Sequence, residues 1–197
     1  MSDLIYANSA ISAHMSKHML NHARIHAIIR AKTDEQINEI LAECGYATKG
    51  NIIEAEFERA YKKFLALCPD DALNDCVTAI YNFKTKKAES VEGAEKELLF
   101  ALEQSVDKIK FDKTQQYFKT YISALIFNKK IPETKLFTLA NDMKHDNTTI
   151  GPIFYWYVLK QSEFITLKSI FLGKRMGFDS EKILQHLKKV GLYERFA

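Results

Sequence analysis

Apolar residues along the chain recur every three or four positions, which is the spacing of one face of an α-helix. In residues 52–67, for example, Phe57, Tyr61 and Phe64 fall on the same face. We find no alternation of apolar and polar residues of the kind that marks half-buried strands. The pattern therefore predicts an all-α fold of about nine helices. They are expected near residues 3–31, 34–43, 52–67, 71–88, 92–106, 113–128, 133–144, 151–172 and 180–190.

Helix ends carry local sequence signals. Thr33 with Gln36, and Asn51 with Glu54, have the spacing of capping boxes, in which two side chains satisfy free backbone amides at a helix start. Helix stops are predicted at glycines and prolines, because glycine favours the helix C-terminus and proline cannot continue a helix. These predicted stops are Gly45, Pro69, Pro132, Gly173 and Gly191.

The weakest join between helices is the polar stretch at residues 89–93. It predicts a boundary between an N-terminal helical lobe, residues 1–90, and a C-terminal helical lobe, residues 91–197. Short polar turns also connect helices inside one lobe, so a single continuous domain is the alternative.

Composition narrows the classes of function. The chain has 197 residues, a formal net charge of +3 and lysines scattered along its length, so we expect no nucleic-acid interface, which would need a concentrated basic face. Three cysteines, with no C-x-x-C pair and no secretory signal pattern, favour the reducing cytoplasm. The longest uninterrupted apolar run, residues 153–159, is far shorter than the roughly 20 residues that span a bilayer. We therefore expect no direct membrane span.

A ladder of histidines occupies the first predicted helix at four-residue intervals: His14, His18, His22 and His26. On one helix each interval rotates by about 40° and climbs about 6 Å, so at most two neighbours could reach one metal ion. No acidic residue lies between Asp3 and Asp34 to complete such a site. Three interpretations remain: amphipathic side chains flanking a packed helix, a pH-responsive contact face, or a metal site. The first is preferred, and we expect no metal.

No sequence pattern indicates catalysis. Gly173 and Lys174 look like the end of a phosphate-binding loop, but Lys168 stands where that loop needs glycine, and Arg175 where it needs serine or threonine. No serine or cysteine lies in a recognisable nucleophile context. We therefore predict no catalytic residue and no cofactor, and expect that the chain is not itself an enzyme.

Glu163 is the one acid in an otherwise apolar helix, since no other acidic residue lies between Asp146 and Asp179. A buried carboxylate is costly unless it is paired. Glu163 therefore belongs either to an exposed polar edge with Lys160 and Gln161, or to a structural bridge or the lining of a socket.

Three consecutive segments near the C-terminus, within residues 157–177, are compared with one family. An apolar helix, residues 157–163, ends at Glu163. Residues 164–168 follow, and then residues 170–174 with Gly177. This order resembles the C-terminal helix, the E-x-x-N-L-R stretch and the G-K-x-x-G turn of the C/d family of V-type and archaeal-type ATPase subunits. Thr166 stands where that family usually has asparagine, and Lys168 where it usually has arginine.

Two earlier segments are similar to the same family. Residues 6–41, followed by Gly45 and Tyr46, resemble its opening helix pair, although relatives tend to carry arginine and leucine where the histidine ladder lies. Tyr81, Asn82 and Lys84 look like its Y-x-x-N-L-K element. The chain is shorter than typical members, which have three related helical lobes, so the resemblance implies a compact version lacking much of the middle lobe.

The resemblance implies a non-catalytic subunit that couples the central rotor stalk to the membrane proteolipid ring. Its partners would be the stalk subunits and the ring, and it would lie on the cytoplasmic side of the membrane through the ATPase complex. The alternative is a helical regulatory or binding protein derived from this fold, outside an intact ATPase. The candidate family-motif or partner-contact residues are Tyr81, Asn82, Lys84, Glu163, Lys168, Gly173 and Lys174.

Overall fold

A computed structural model describes residues 2–47, 50–85, 91–127 and 133–196. Within these ranges the chain forms ten α-helices, two short 3₁₀-helices and no strand, so the predicted all-α fold is confirmed. The α-helices are α1 (Ser2–His18), α2 (His22–Arg30), α3 (Asp34–Glu43), α4 (Ile52–Leu67), α5 (Asp71–Thr85), α6 (Val91–Ser105), α7 (Asp112–Ile126), α8 (Glu133–Asn141), α9 (Gly151–Arg175) and α10 (Ser180–Lys189), and the 3₁₀-helices are Val106–Lys108 and Tyr193–Phe196. The predicted stop at Pro132 lies outside the described residues.

The chain divides into two compact units, each made from separated stretches of sequence. Unit 1 comprises Met1–Ser9 and Tyr61–Tyr157, and unit 2 comprises Ala10–Ala60 and Val158–Ala197. These units differ from the predicted lobes, residues 1–90 and 91–197. Helices α5 and α6, which flank the predicted boundary, pack extensively against each other and so belong to one unit. Part of the predicted polar join lies outside the described residues.

Unit 2 has a core of aliphatic side chains contributed by helices from both ends of the chain. Ile25 and Ile28 of α2, Leu41 of α3, Leu167 of α9 and Leu187 of α10 are fully buried in one cluster. On α3 and α10 the buried apolar residues recur at helical spacing and charged residues lie on the exposed face, whereas α9 also buries Lys160 and Glu163. Burial of these apolar faces is what holds the early and late helices together.

The predicted single helix over residues 3–31 is wrong, because the chain breaks between α1 and α2. Asn21 has extended backbone angles (φ −127°, ψ 174°), and its side chain accepts a hydrogen bond from the Arg24 amide at 2.9 Å. This arrangement caps the start of α2. The Arg24 guanidinium in turn donates to the Met19 carbonyl at 2.8 Å, which satisfies a carbonyl near the end of α1. Local hydrogen bonds therefore stabilise both sides of the break.

Three helices of unit 2 end in a glycine with a left-handed backbone. Gly45, Gly177 and Gly191 have φ values of 80°, 74° and 70°. In each case the next residue donates its amide to a carbonyl five positions earlier, as Tyr46 does to Leu41 at 3.1 Å. This paired pattern is the Schellman motif, and it fixes the direction in which the chain leaves the helix.

The predicted helix stop at Gly173 is wrong, since α9 continues to Arg175 and Gly177 is the terminating glycine. A β-carbon added at Gly173 would lie 2.9 Å from Cγ1 of Ile183 on α10. Gly173 therefore allows α10 to approach α9 closely, and this packing role explains a glycine inside the helix.

Unit 1 is built around aromatic side chains on α4, α7 and α9. The rings of Phe64, Tyr117 and Phe118 each lie 5.0–6.2 Å from the ring of Phe154, in tilted or edge-on arrangements. Aromatic pairs favour these geometries over face-to-face stacking. Among the described residues, no helix combines the length and the apolar character that a membrane span requires.

Candidate functional site

Glu163 lies at the centre of a buried hydrogen-bonded network in unit 2. One carboxylate oxygen, Oε2, accepts bonds from Lys160 Nζ at 2.8 Å and from the Tyr46 hydroxyl at 2.7 Å. The other, Oε1, accepts from the backbone amide of Leu20 at 2.5 Å. Only 1% of Glu163 is exposed. The structure thus excludes the exposed polar edge and shows a structural bridge.

Lys160 connects Glu163 to a second buried carboxylate. Its ammonium nitrogen lies 3.1 Å from Glu56 Oε1, and it also lies 5.0 Å from the centre of the Tyr46 ring. Arg59, whose side chain is half exposed, pairs with the other oxygen of Glu56 at 2.6 Å. Each buried charge therefore has an opposite charge within bonding distance, which offsets the cost of removing it from water.

The surroundings shift the pKa values of Tyr46 and Lys160 in this network. Burial, followed by the neighbouring Glu163 carboxylate, raises the pKa of Tyr46 well above its usual value, so the phenol remains neutral. Burial by itself would lower the pKa of Lys160, but the carboxylates of Glu163 and Glu56 outweigh burial and raise that pKa. The network, defined by Glu163, Lys160, Glu56, Tyr46 and the Leu20 amide, accordingly contains a charged lysine and a neutral tyrosine.

Local structure explains how distant residues reach Glu163. The break between α1 and α2 leaves the Leu20 amide without an intrahelical acceptor, so it is available to the carboxylate. The Schellman motif at the end of α3 places Tyr46 directly after Gly45 and directs its ring into the core. Glu56 comes from the second turn of α4, and Lys160 comes from the first half of α9. The arrangement is suited to joining four parts of the chain.

Arg195 adds a buried contact from the C-terminal 3₁₀-helix. Its Nη1 donates to the Ser162 hydroxyl at 3.0 Å, and its Nε donates to the Gly191 carbonyl at 3.1 Å. Ser162 in turn donates to the Val158 carbonyl one turn earlier on α9. The end of the chain is therefore attached to the same helix as Glu163.

Lys168, Gly173 and Lys174 occupy the second half of α9, but each has a separate structural role. Lys168 pairs with Glu54 of α4 at 3.1 Å, with both side chains partly exposed. Lys174 Nζ donates to the carbonyls of Ile29 and Ala31 at the end of α2, at 2.8 and 2.6 Å. A cation there complements the negative end of the helix dipole. Burial lowers the pKa of Lys174, with Asp34 opposing the shift.

Tyr81, Asn82 and Lys84 are not part of this network, because they lie on α5 in unit 1. The Tyr81 ring stacks on Tyr61 with centroids 4.0 Å apart and planes nearly parallel, at 5°. Asn82 is exposed, and Lys84 is half-buried. The structure thus places the predicted candidate residues in two different units.

The histidine ladder is divided between two helices, so its predicted geometry along one helix is wrong. His14 and His18 lie on α1 with ring centroids 4.7 Å apart. On α2, His22 stacks on Tyr193 at 4.1 Å and donates from Nε2 to its carbonyl at 2.9 Å, and His26 is hydrogen-bonded to the Tyr193 hydroxyl at 2.8 Å. These contacts support the amphipathic packing interpretation for the α2 pair.

No group of three or more histidine, cysteine or acidic side chains in the described ranges is placed to hold a metal ion. That the protein binds no metal ion stays a prediction.

Sequence reasoning singled out Glu163 and placed Lys160 beside it on an exposed edge, but missed that Lys160 is buried and pairs with both Glu163 and Glu56. Glu56 falls on the same face of α4 as Ile53, Phe57 and Ala60, so the helical pattern itself indicated a buried acid that needs a cation. No comparable local signal identifies the Leu20 amide.

No profile of a known protein family matches the chain, and no curated protein and no solved structure matches it either.

Proposed function

We propose that the chain is a non-catalytic component of a rotary V-type or archaeal-type ATPase, and that it couples the central rotor stalk to the membrane proteolipid ring. The observation that carries the proposal is the hydrogen bond from the Tyr46 hydroxyl to Glu163 Oε2, at 2.7 Å. It joins two of the stretches that resemble the C/d family, at residues that are 117 positions apart in sequence. If these two short stretches resembled the family only by chance, there would be no reason for them to contact each other. If the chain shares the family's fold, such a contact is expected.

The mechanical demands of coupling also fit unit 2. A protein that passes torque between two partners must resist deformation, and closely packed interiors transmit strain with little compression. Unit 2 combines an aliphatic core from four helices with the buried charged network. Lys168, which stands where the family usually has arginine, forms an ion pair with Glu54. The lysine therefore keeps a cation at this position that pairs with a carboxylate, although it lacks the planar fork of arginine.

Affinity purification tests the proposal. The tagged chain is isolated from detergent-solubilised membranes of the cells that produce it, and the co-purifying proteins are identified by mass spectrometry. We expect stalk subunits and the proteolipid in fixed ratio to the chain, and none of them from an untagged strain. An intact ATPase that purifies without the chain would contradict the proposal.

Deletion of the gene gives a second, functional test. A coupling protein is needed to convert ATP hydrolysis into ion movement, so membranes that lack it should hydrolyse ATP without acidifying or loading vesicles. A regulatory protein outside the ATPase would leave ATP-driven transport at its normal rate.

A further inference from the structure

A cavity of about 540 Å³ opens in unit 2 between α3, the start of α4 and the second half of α9. This volume lies within the usual range of about 300–1,000 Å³ for binding pockets. Part of its lining is apolar and comes from three helices. The apolar lining residues are Leu41, Ile52, Ile53, Phe171 and Leu172. We call this cavity the groove.

The two walls of the groove have opposite charges. Lys168 and Arg175 line the α9 side, and Asp34 and Glu54 line the side formed by α3 and α4. Lys168 and Glu54 pair with each other at 3.1 Å. Arg175 is exposed, and within the described ranges no carboxylate forms an ion pair with it. The α9 rim therefore presents a cation that can still bind an external carboxylate.

Three large apolar side chains are exposed in the last turn of α9 and just after it: Leu172, Met176 and Phe178, which are 59%, 60% and 45% exposed. Leu172 and Met176 are four positions apart and share a helix face. The Schellman motif turns Phe178 back over Gly173, with its amide donating to the Gly173 carbonyl at 3.0 Å. Among the described residues of unit 2, no other large apolar side chain is this exposed. We call these three residues the apolar ridge.

We propose that the groove and the apolar ridge together bind one amphipathic helix of a partner protein. The apolar stripe of that helix would cover the ridge and place one or two side chains in the groove, and an acidic edge would meet Arg175. Exposed apolar side chains beside a concave site are typical of an interface, and helix-in-groove binding uses anchors spaced by one turn. The proposal concerns the chemistry of the partner segment and holds whether or not that partner belongs to an ATPase.

The charge distribution favours a protein helix over an anionic lipid surface. An anionic lipid surface would meet Arg175 on the α9 rim, but it would also be repelled by Asp34 on the facing wall, since Lys168 and Glu54 neutralise each other. A helix with acidic residues on one edge and basic residues on the other complements both walls. The groove is also concave, whereas a bilayer surface is not.

Site-specific photocrosslinking in intact cells tests the proposal. A benzophenone amino acid replaces Leu172, and, in a matched control, Phe100 of unit 1, which is 66% exposed. We expect a protein adduct at position 172 that is absent at position 100. Peptide mapping should locate it on a helix with an apolar stripe and acidic residues beside it. No adduct, an adduct with lipid or with a second copy of the chain, or equal adducts at both positions would each overturn the proposal.

The identity of the crosslinked protein separates this proposal from the proposed function. An adduct with an ATPase subunit supports both, and an adduct with a mapped helix of another protein supports the docking surface while counting against the coupling role.

Substitutions then test the named contacts on the crosslinked pair. Met176→Asp and Arg175→Glu should each weaken binding of the identified helical peptide by about tenfold or more, since anchors near the centre of an interface carry most of its affinity. Phe100→Asp should leave the affinity unchanged. Because these side chains are exposed, the thermal unfolding of all three variants should match the parent. Unchanged affinity in both Met176→Asp and Arg175→Glu would refute the assignment.

Discussion

Glu163 shows how a single buried charge can organise a fold. Its carboxylate accepts bonds from the Leu20 amide, the Tyr46 hydroxyl and Lys160, which belong to three different parts of the chain. Buried ion pairs add little stability compared with apolar residues of the same volume, but removing one partner leaves an uncompensated charge. The network therefore contributes mainly by specifying which segments meet.

We expect Glu163→Gln to destabilise the protein by about 3–5 kcal/mol, because Lys160 loses one of its two buried carboxylates. Equilibrium urea unfolding measures the loss. The matched control is Glu54→Gln, which removes the partly exposed partner of Lys168 and should cost less than about 1 kcal/mol. Equal losses in the two variants would show that the buried network has no special role.

The cysteines should be chemically inert in the folded protein. Cys44, Cys68 and Cys76 are all buried, and burial raises the pKa of Cys68 and of Cys76 to about 12. The thiolate is the reactive form, so little of it exists near neutral pH. We expect a thiol reagent such as Ellman's to modify none of the three quickly at pH 8, and all three in guanidinium. Fast modification of the native protein would contradict the buried positions.

At the scale of elements, local signals predicted some helices well and others poorly. Helices α3 and α4 begin and end where the sequence indicated: Thr33 caps the start of α3, and Pro69 follows the end of α4. In the Thr33 cap, the Gln36 side chain accepts from the Lys32 amide, one residue before the position the capping box predicts. The predicted helix over 3–31 failed, since the break is stabilised partly by the bond from Leu20 to Glu163, a contact 143 positions away.

Gly173 was misassigned for a similar reason. As a local signal, glycine marks a helix end, but here its role depends on Ile183, which approaches from α10. A packing partner of this kind cannot be identified from the glycine's neighbours in sequence.

Gly173→Ala should therefore destabilise the protein by about 1–3 kcal/mol, the usual cost of overpacking, even though alanine favours helices. Thermal or urea unfolding gives the difference. Gly93→Ala, at an exposed position in the first turn of α6, is the control and should leave stability unchanged or slightly raised. A stabilised Gly173→Ala would mean that α9 and α10 are not in close contact at this point.

At the scale of the whole molecule, the sequence established the fold class but not the grouping of helices. Helical periodicity is a property of each segment and was sufficient to exclude strands. Which helices share a core depends on long-range packing, and α10 returns to α2 across most of the chain length. The polar stretch at residues 89–93, from which the lobe boundary was predicted, does not indicate that α10 packs against α2.

Global stability should decline at alkaline pH. The pKa of Tyr46, that of Lys160 and those of Cys68 and Cys76 are all raised in the folded protein. A raised pKa means that the folded state holds the proton more tightly, so this contribution is complete below the unfolded pKa values and is lost as pH rises through the folded ones. The unfolded values are near 8.5 for cysteine and 10 for tyrosine and lysine. Lys174, with a lowered pKa, acts in the opposite direction.

We expect the free energy of unfolding to change little between pH 7 and 8, and to fall progressively above about pH 9. Urea unfolding at a series of pH values measures the slope. Tyr46→Phe should be less stable than the parent at pH 8, because Glu163 loses a donor, yet show a shallower alkaline decline. An identical slope in parent and variant would indicate that Tyr46 does not contribute to the pH dependence.

The interleaved order of the two units has a consequence for synthesis on the ribosome. Most of unit 1 is one continuous stretch, Tyr61–Tyr157, so it can fold as soon as it emerges. Ala10–Ala60 emerges before that stretch but must wait for α10 and for the part of α9 that supplies Lys160 and Glu163. At about 5–20 residues per second, the 97 intervening residues impose a delay of roughly 5–20 s. During that interval the earliest helices expose their apolar faces and are natural clients for a chaperone.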